Sequence, residues 1–277
     1  MKRGDSEKKY IELLLTELKI KRRSQRTQET YSFFIKKYLQ TIKKDPRVAT
    51  EQDIKLFLAI TTDSYSNSSQ ALVISALKYF YKKVLKLNLL SEIESPKKEE
   101  YLPVVLTREE VKKLINSAVI LKSQLIIRLL YSSGLRVSEL LSLKKTDLDL
   151  ENNTGWVRKG KGGKDRKIFL SKALSQELQV YINGTNSEFL FSGQKGKMTP
   201  RNAQKIIERA AKRAGISKRV TPHTMRHSYA THLLESGVDI RKIQVLLGHS
   251  RIDTTQIYTK VSTKELEEIR NPLDNLE

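Results

Sequence analysis

One stretch near the C-terminus constrains the fold more than any other part of the chain. Thr221 is a residue type that caps helix N-termini, and Pro222 suits the first helical position because its missing N–H would be unpaired there anyway. Asp239 can open a second helix, and Gly248 is placed to end that helix in a left-handed turn. A third short helix begins near Asp253. The stretch therefore predicts three short, separately capped helices that hold their side chains rigidly.

Four polar side chains on these helices have the chemistry of a catalytic site. His223 and Arg226 are three residues apart and lie one above the other on one helical face. His249 comes just past the end of the second helix, and Tyr258 follows the third. The opposite face of the first helix is apolar and predicted to be buried: Met225, Tyr229, Leu233 and Leu234.

The charge of the chain points to a polyanionic partner. The 277 residues include 52 Lys and Arg against 31 Asp and Glu, a formal net charge of +21. Such an excess favours nucleic acid over a membrane surface, with a merely solubilising basic surface as the alternative. The length fits two domains, and 38% apolar residues are enough for a core in each.

Several classes of site are excluded or disfavoured. The chain contains no cysteine, which excludes disulfides and thiolate metal sites, and its four histidines have no HExxH arrangement. We therefore expect no metal and no other cofactor. His227 and His232 fall off the face of His223 and Arg226, and we interpret both as structural. No apolar run of about 18 residues and no signal-peptide core are present, so we expect a cytoplasmic location and no membrane partner.

Residues 1–95 predict a helical domain that binds DNA. Helical periodicity extends over four segments, 10–20, 27–42, 50–61 and 68–87. Residues 1–100 carry 21 basic and 13 acidic side chains. The basic ones could follow a phosphate backbone, although a solvated helix face explains them about as well. A proline-containing, mostly charged stretch follows, and we place an interdomain linker at 96–105.

Residues 106–277 predict a second domain that contains both helices and strands. Thr107 and Glu110 form a T-x-x-E capping box, and an apolar helix over 123–133 comes next. Gly134 breaks that helix, and a new one starts near Val137. Arg136 lies at the break, where it could serve an anion or merely cap the preceding helix; the local context favours the cap.

A hairpin follows these helices. Strands are predicted at 154–159 and 166–170, joined by the tip GKGGK, and residues 188–191 are predicted to add a third strand. The tip lacks the spacing of a nucleotide-binding P-loop, but its Lys161 is flanked by glycines and could reach into a groove. A basic helix over 199–214 completes this part of the domain.

Taken together, these motifs resemble the tyrosine recombinases, the integrase family, which share their catalytic core with type IB topoisomerases. The matching segments are SGLRVSELLSL, GKGGK, HTMRHSYATHLLESGVDIRKIQVLLGHS and TTQIY, and more loosely SQRTQETYSFFIKKYL. The resemblance implies a mainly α fold with a small β-sheet: an N-terminal helical bundle, the SAM-like core-binding domain, and a C-terminal α+β catalytic domain. Length and layout look most like the Xer recombinases, the archaeal members included.

The resemblance also implies six catalytic residues: Arg136, Lys161, His223, Arg226, His249 and Tyr258. Tyr258 would be the nucleophile, with His223 as candidate base and Lys161 as the acid that protonates the leaving 5′ oxygen. The planar guanidinium groups of arginine can donate two hydrogen bonds to phosphate oxygens, so the mechanism requires no metal. The phosphate ester to tyrosine conserves the energy of the cleaved bond, so rejoining requires no ATP.

The implied function is site-specific recombination of double-stranded DNA through a 3′-phosphotyrosyl intermediate, with two protomers on each site and four in the synapse. Xer-type chromosome dimer resolution is favoured over integration or excision of a mobile element, and the need for an accessory translocase is left open. A monomeric DNA-relaxing topoisomerase and a non-enzymatic DNA-binding protein are the alternatives. The acidic, amphipathic tail at about 262–277 could pack on its own domain, but the resemblance favours docking on a neighbouring protomer.

Overall fold

The computed structural model describes residues 3–96, 102–158, 160, 165–193, 196–249 and 251–259. The chain divides into two compact units, Met1–Glu100 and Tyr101–Glu277. Both are mainly helical, and the small antiparallel sheets lie in the second unit. The predicted fold class is thereby confirmed. The hairpin residue Lys161 and the predicted docking tail lie outside the described residues.

Over its described residues, the first unit is a bundle of four α-helices, and the last of them continues as a π-helical segment. The helices are α1 (Arg3–Ile20), α2 (Gln25–Ile42), α3 (Glu51–Thr62) and α4 (Asn67–Tyr79), and the π-helical segment is Phe80–Leu85. Ser24, Thr50 and Ser66 cap α2, α3 and α4 by accepting a hydrogen bond from a backbone N–H of the first turn. Apolar and aromatic side chains from all four helices form one core between them.

Within its described residues, the second unit contains eight α-helices and one short 3₁₀ helix, Lys145–Asp147. The α-helices are α5 (Arg108–Asn116), α6 (Leu121–Ser133), α7 (Val137–Ser142), α8 (Lys172–Asn183), α9 (Pro200–Arg213), α10 (Pro222–Leu234), α11 (Ile240–Leu247) and α12 (Asp253–Gln256). The capping box at Thr107 and Glu110 forms as predicted. Thr221 caps α10 and Asp239 caps α11, and Gly248 ends α11 with a φ of 64°, so these three signals in the sequence are confirmed.

Short strands accompany the helices of the second unit. They are β1 (Leu148–Asp149), β2 (Thr154–Val157), β3 (Arg166–Phe169), β4 (Ser192–Gly193) and β5 (Gly196–Lys197). The first three form an antiparallel sheet in the order β1-β2-β3, and β4 pairs with β5. Thr154 lies opposite Phe169, and Val157 lies opposite Arg166. The register therefore places Arg166 at the end of β3 that is nearest to the hairpin tip.

The prediction of a third strand at residues 188–191 is wrong. The third strand of the sheet is β1, whereas Phe189 makes only an isolated bridge to Lys144. Leu190 and Phe191 are almost fully buried in the core of the unit. The apolar run that suggested a strand is thus explained by packing of its side chains rather than by pairing of its backbone.

One glycine allows two helices of the site to approach closely. Gly134 ends α6 in the left-handed region, with a φ of 57°. A Cβ atom at this position would lie 2.6 Å from Tyr229 Cδ1 of α10, which is closer than carbon atoms can approach. The absence of a side chain at Gly134 therefore lets the end of α6 meet the middle of α10, and the chain turns there into α7.

Candidate active site

Arg226 connects the ends of two helices of the second unit. It lies on α10, its exposed fraction is 4%, and its guanidinium donates to the Gly134 carbonyl at the end of α6 and to Leu247 O at the end of α11, the latter at 2.7 Å. Its Nη2 also lies 2.9 Å from His249 Nε2. Carbonyl groups at helix C-termini lack intrahelical donors and carry partial negative charge, so a buried cation is stabilised there.

A buried carboxylate holds two further arginines. Glu139, with an exposed fraction of 7%, accepts hydrogen bonds of 2.8 Å from the Arg136 backbone N–H, from Arg136 Nη1 and from Arg166 Nη2. Burial alone would raise the pKa of Glu139, but the hydrogen bonds and charges of Arg166 and Arg136 outweigh it and the pKa is lowered. Glu139 is therefore an anion that fixes the direction of Arg136 at the start of α7.

Arg166 ties the sheet to the same cluster. Its Nη2 reaches Glu139, and its Nε donates to Leu246 O of α11 at 2.9 Å. Neither Arg166 nor Glu139 was predicted from the sequence to be part of a site. Glu139 was recognisable only as a first-turn residue of α7, and nothing local shows that Arg166 meets it across 27 positions of the chain.

His249 and Tyr258 complete the cluster from the C-terminal side. His249 follows Gly248 directly, and its Nδ1 lies 2.9 Å from Thr255 Oγ1 of α12. The His249 and Tyr258 rings are nearly parallel, with centroids 6.5 Å apart. Tyr258 is only 2% exposed, in an apolar cluster with Leu234, Ile243 and Leu247 among others. Burial raises the pKa of Tyr258, although the charges of Arg226 and Arg136 oppose the shift.

His223 stands at the open edge of the cluster. Its side chain is exposed, and it makes no hydrogen bond to a described residue. Desolvation by surrounding protein, followed by the charges of Arg226 and Arg136, lowers its pKa. His223 is therefore close enough to feel both arginines while remaining accessible to a ligand.

The structure differs from the sequence interpretation at His227. That residue was interpreted as structural, yet its Nδ1 lies 3.3 Å from Tyr258 Oη. Tyr258 contacts α10 on the side of the helix where His227 lies. The sequence interpretation had placed the site only on the face of His223 and Arg226. His232 behaves as interpreted, since its Nδ1 lies 2.8 Å from the hydroxyl of Tyr131 on the neighbouring α6.

The geometry thus assembles five of the six predicted site residues around one cluster: Arg136, His223, Arg226, His249 and Tyr258. The sixth, Lys161, lies outside the described residues. Three arginines in or next to the cluster face one carboxylate, Glu139. Arg226 keeps its charge at neutral pH, although burial, the largest influence, and the nearby Arg136 lower its pKa to about 10. The resulting surplus of buried positive charge suits an anionic ligand such as a phosphodiester.

Two histidines of the cluster make folding stability depend on pH. Burial first, and the neighbouring arginine and histidine charges second, lower the pKa of His227 and of His249 to about 4. Between that value and the ordinary histidine pKa of about 6.5, the unfolded chain binds protons that the folded chain does not. Their contribution to stability is therefore complete above about pH 6.5 and is lost as the pH falls towards about 4.

We expect the free energy of unfolding to fall by about 1 kcal/mol per histidine between about pH 7.5 and pH 5.5, after allowance for partial exposure. Urea unfolding at both pH values measures this loss. His227→Asn removes one of the two groups and should reduce the loss by about half of their joint contribution. Equal pH dependence in the wild type and this variant would contradict the assignment.

No described helix is long and apolar enough to cross a membrane. No group of three or more His, Asp and Glu side chains in the described part of the chain could hold a metal ion.

Comparison with known proteins gives the family. Residues 104–265 match the phage integrase family, and residues 11–90 match the phage integrase N-terminal SAM-like domain. The chain is 41% identical over 265 residues to the tyrosine recombinase XerA of Pyrococcus horikoshii, covering 93% of this chain and 91% of the relative.

Solved structures agree. A crystal structure of XerA recombinase is similar with a TM-score of 0.57 at 32% identity, covering 96% of this chain and 100% of the other. A XerH site-specific recombinase bound to a palindromic difH substrate in a post-cleavage complex gives a TM-score of 0.74 at 26% identity, with 87% and 78% covered. The chain therefore belongs to the phage integrase family and is a Xer-like tyrosine recombinase, a site-specific recombinase enzyme.

Proposed function

We propose that this recombinase cuts and rejoins double-stranded DNA through a 3′-phosphotyrosyl link to Tyr258. One observation carries the proposal: the Tyr258 hydroxyl lies against a buried, positively charged cluster in which Arg226 contacts His249. A scissile phosphate at this cluster would meet the arginine forks and the nucleophile together. The positioned charges would stabilise the extra negative charge of the pentavalent transition state.

Each residue has a distinct part in the proposed reaction. Arg136 and Arg226 donate to the non-bridging oxygens, and His249 adds a further hydrogen bond. Tyr258 Oη attacks phosphorus as the bond to the 5′ oxygen breaks, and Lys161 gives that oxygen a proton. His223, at the open edge, is the base candidate that the family implies.

The biological role belongs to the same proposal. Relatives of this chain are named XerA and XerD, and one structural neighbour is XerH on its difH site. These names support recombination at a specific DNA site. We propose that this recombination resolves chromosome dimers in the cytoplasm, with integration or excision of a mobile element as the second candidate. The working assembly would place two protomers on each DNA site and four in the synapse.

A recombination assay tests this function. A supercoiled plasmid that carries two copies of a candidate genomic site should be converted into two circles, and a plasmid without the site should stay unchanged. A type IB topoisomerase-like enzyme would instead relax both plasmids without joining sites. A non-enzymatic DNA-binding protein would shift the site-bearing DNA on a gel and alter neither plasmid. Either of these results would replace the proposal.

We also propose that the tail, residues 262–277, docks on a neighbouring protomer. A cavity of about 580 Å³ between α5, α6, α8 and α10 has a mainly apolar lining that includes Val111 and Leu233, and Arg108 and Lys112 also line it. The tail is rich in acidic residues, and its leucines and isoleucine recur at helical spacing. The cavity of one protomer therefore has the polarity and charge to receive the tail of another.

Leu273→Ala, which shortens an apolar tail residue, should weaken assembly on DNA. We expect single-site binding of one protomer to persist while cooperative binding of the second protomer and recombination both fall about tenfold or more, as for a truncated interface anchor. Asn275→Ala, off the apolar spacing of the same tail, is the matched control. Unchanged cooperativity in Leu273→Ala, measured by gel shift at increasing protein concentration, would contradict docking in trans.

A further inference from the structure

His227 is a titratable group next to the nucleophile that the reaction described above does not use. Its Nδ1 lies 3.3 Å from Tyr258 Oη, and the two ring centroids are 5.6 Å apart. Among the described residues, no other histidine nitrogen lies within hydrogen-bond distance of that hydroxyl. The contact therefore singles out His227 among the four histidines of the chain.

The surroundings of the hydroxyl decide which group can accept its proton. The groups that face Tyr258 and His227 are Arg136 at the start of α7, His223 and Arg226 on α10, and His249 after α11. Arginine has donors only and cannot take up a proton. His249 directs its Nε2 at Arg226 and its Nδ1 at Thr255, and neither nitrogen contacts the Tyr258 hydroxyl.

His227 is free to act as the acceptor. Burial, followed by the charges of His223 and Arg226, lowers its pKa to about 4, so its ring is neutral at physiological pH. A neutral imidazole has one nitrogen without hydrogen, and at His227 the Tyr258 hydroxyl can donate to it. An incoming phosphate would offset the charge of Arg226 and Arg136, and the pKa of His227 would rise towards its ordinary value.

We propose that His227 Nδ1, rather than His223, receives the Tyr258 proton during cleavage and returns it during rejoining. The proposal rests on the cleavage reaction proposed above. The Oη–H bond breaks as the Nδ1–H bond forms, the Oη–P bond forms as the bond from phosphorus to the 5′ oxygen breaks, and the leaving oxygen takes its own proton from Lys161. In rejoining, the 5′ hydroxyl attacks phosphorus and returns its proton to Lys161. The Oη–P bond breaks, and the released phenolate recovers the proton from Nδ1. His223 then contributes a hydrogen bond to the phosphate.

The rate of cleavage as a function of pH tests this assignment. His227→Asn keeps a hydrogen-bond acceptor near the Nδ1 position but cannot hold the proton. We expect cleavage of a suicide substrate to fall about 10²-fold near neutral pH. The residual rate should then rise about tenfold per pH unit as Tyr258 ionises without a base, whereas the wild-type rate stays nearly level. A His227→Asn rate within a few-fold of wild type, with the same pH profile, overturns the proposal.

A substrate with a sulfur-substituted leaving group separates the two proton transfers. A 5′-bridging phosphorothiolate releases a thiolate that needs no protonation, so it should restore Lys161→Ala and leave His227→Asn slow. If this substrate also restored cleavage by His227→Asn, His227 would act on the leaving group, and the proposal would be overturned. The wild type must form its covalent complex in the same assay; if it does not, the proposed function fails rather than the assignment of the base.

Two further measurements exclude a purely structural role. His232→Gln removes the similar contact with Tyr131, 2.8 Å long, and should leave the shape of the pH profile unchanged. In the unaltered protein, the ¹⁵N chemical shift of His227 Nδ1 should be that of an unprotonated nitrogen that accepts a hydrogen bond. A protonated Nδ1 that donates to Tyr258 Oη would contradict the proposal without any variant.

Discussion

Tyr258→Phe is expected to abolish covalent cleavage of DNA and to leave DNA binding intact. The phenylalanine ring fills the same site, which is 2% exposed, and keeps its packing against Ile243 and Leu247. The hydroxyl contact to His227 is lost, with a change of about 1 kcal/mol in the free energy of unfolding. Since the attacking oxygen itself is missing, cleavage should fall by at least about 10⁴-fold.

A suicide substrate measures this loss. A nick next to the scissile phosphate lets the short 5′ fragment diffuse away, so the covalent complex accumulates and is counted on a denaturing gel. Tyr181→Phe is the matched control, because it removes the same hydroxyl from a half-buried tyrosine of α8 that packs on Phe191. We expect it to cleave like the wild type. Covalent complex formed by Tyr258→Phe would mean that another residue attacks.

Local sequence patterns, which involve only a few neighbouring residues, predicted best where the helices of the site begin and end. A helix start needs one capping side chain and its own first turn, so Thr221 and Asp239 were sufficient to locate α10 and α11. Gly248 predicted the end of α11 equally well, because a helix end in the left-handed conformation favours glycine. These local rules fixed where His223, Arg226 and His249 lie along the chain.

Contacts between distant segments were beyond the reach of the same rules. Arg166 contacts Glu139 and the end of α11 only because β3 packs against them, and no local sequence pattern predicts that packing. His227 was judged by the face of its own helix, but its partner Tyr258 comes from 31 residues further along the chain. The opposite error was made at Leu190, because an apolar run that is buried in the core resembles the apolar run of a buried strand.

The second large effect is expected for Arg226→Lys, a change that preserves charge but not geometry. The guanidinium serves the Gly134 carbonyl, Leu247 O and His249 Nε2 at once. One ammonium group cannot reach all three positions, and each buried carbonyl left without a donor costs about 1–3 kcal/mol. We therefore expect the free energy of unfolding to fall by about 3 kcal/mol.

Cleavage by Arg226→Lys should fall further than stability alone explains. The lysine loses the planar fork that would bind two phosphate oxygens, which is worth about 10²–10³-fold in rate at the transition state. The assay is run at a temperature where circular dichroism shows the variant to be folded, so that loss of rate reports chemistry.

Arg209→Lys, the same change at an exposed position of α9, serves as the stability control and should shift the unfolding free energy by less than about 0.5 kcal/mol. An Arg226→Lys protein with wild-type stability would show that the three acceptors find other donors. Wild-type cleavage by that variant would show that the scissile phosphate does not bind at Arg226. The assignment of Tyr258 as the nucleophile would then lose its basis.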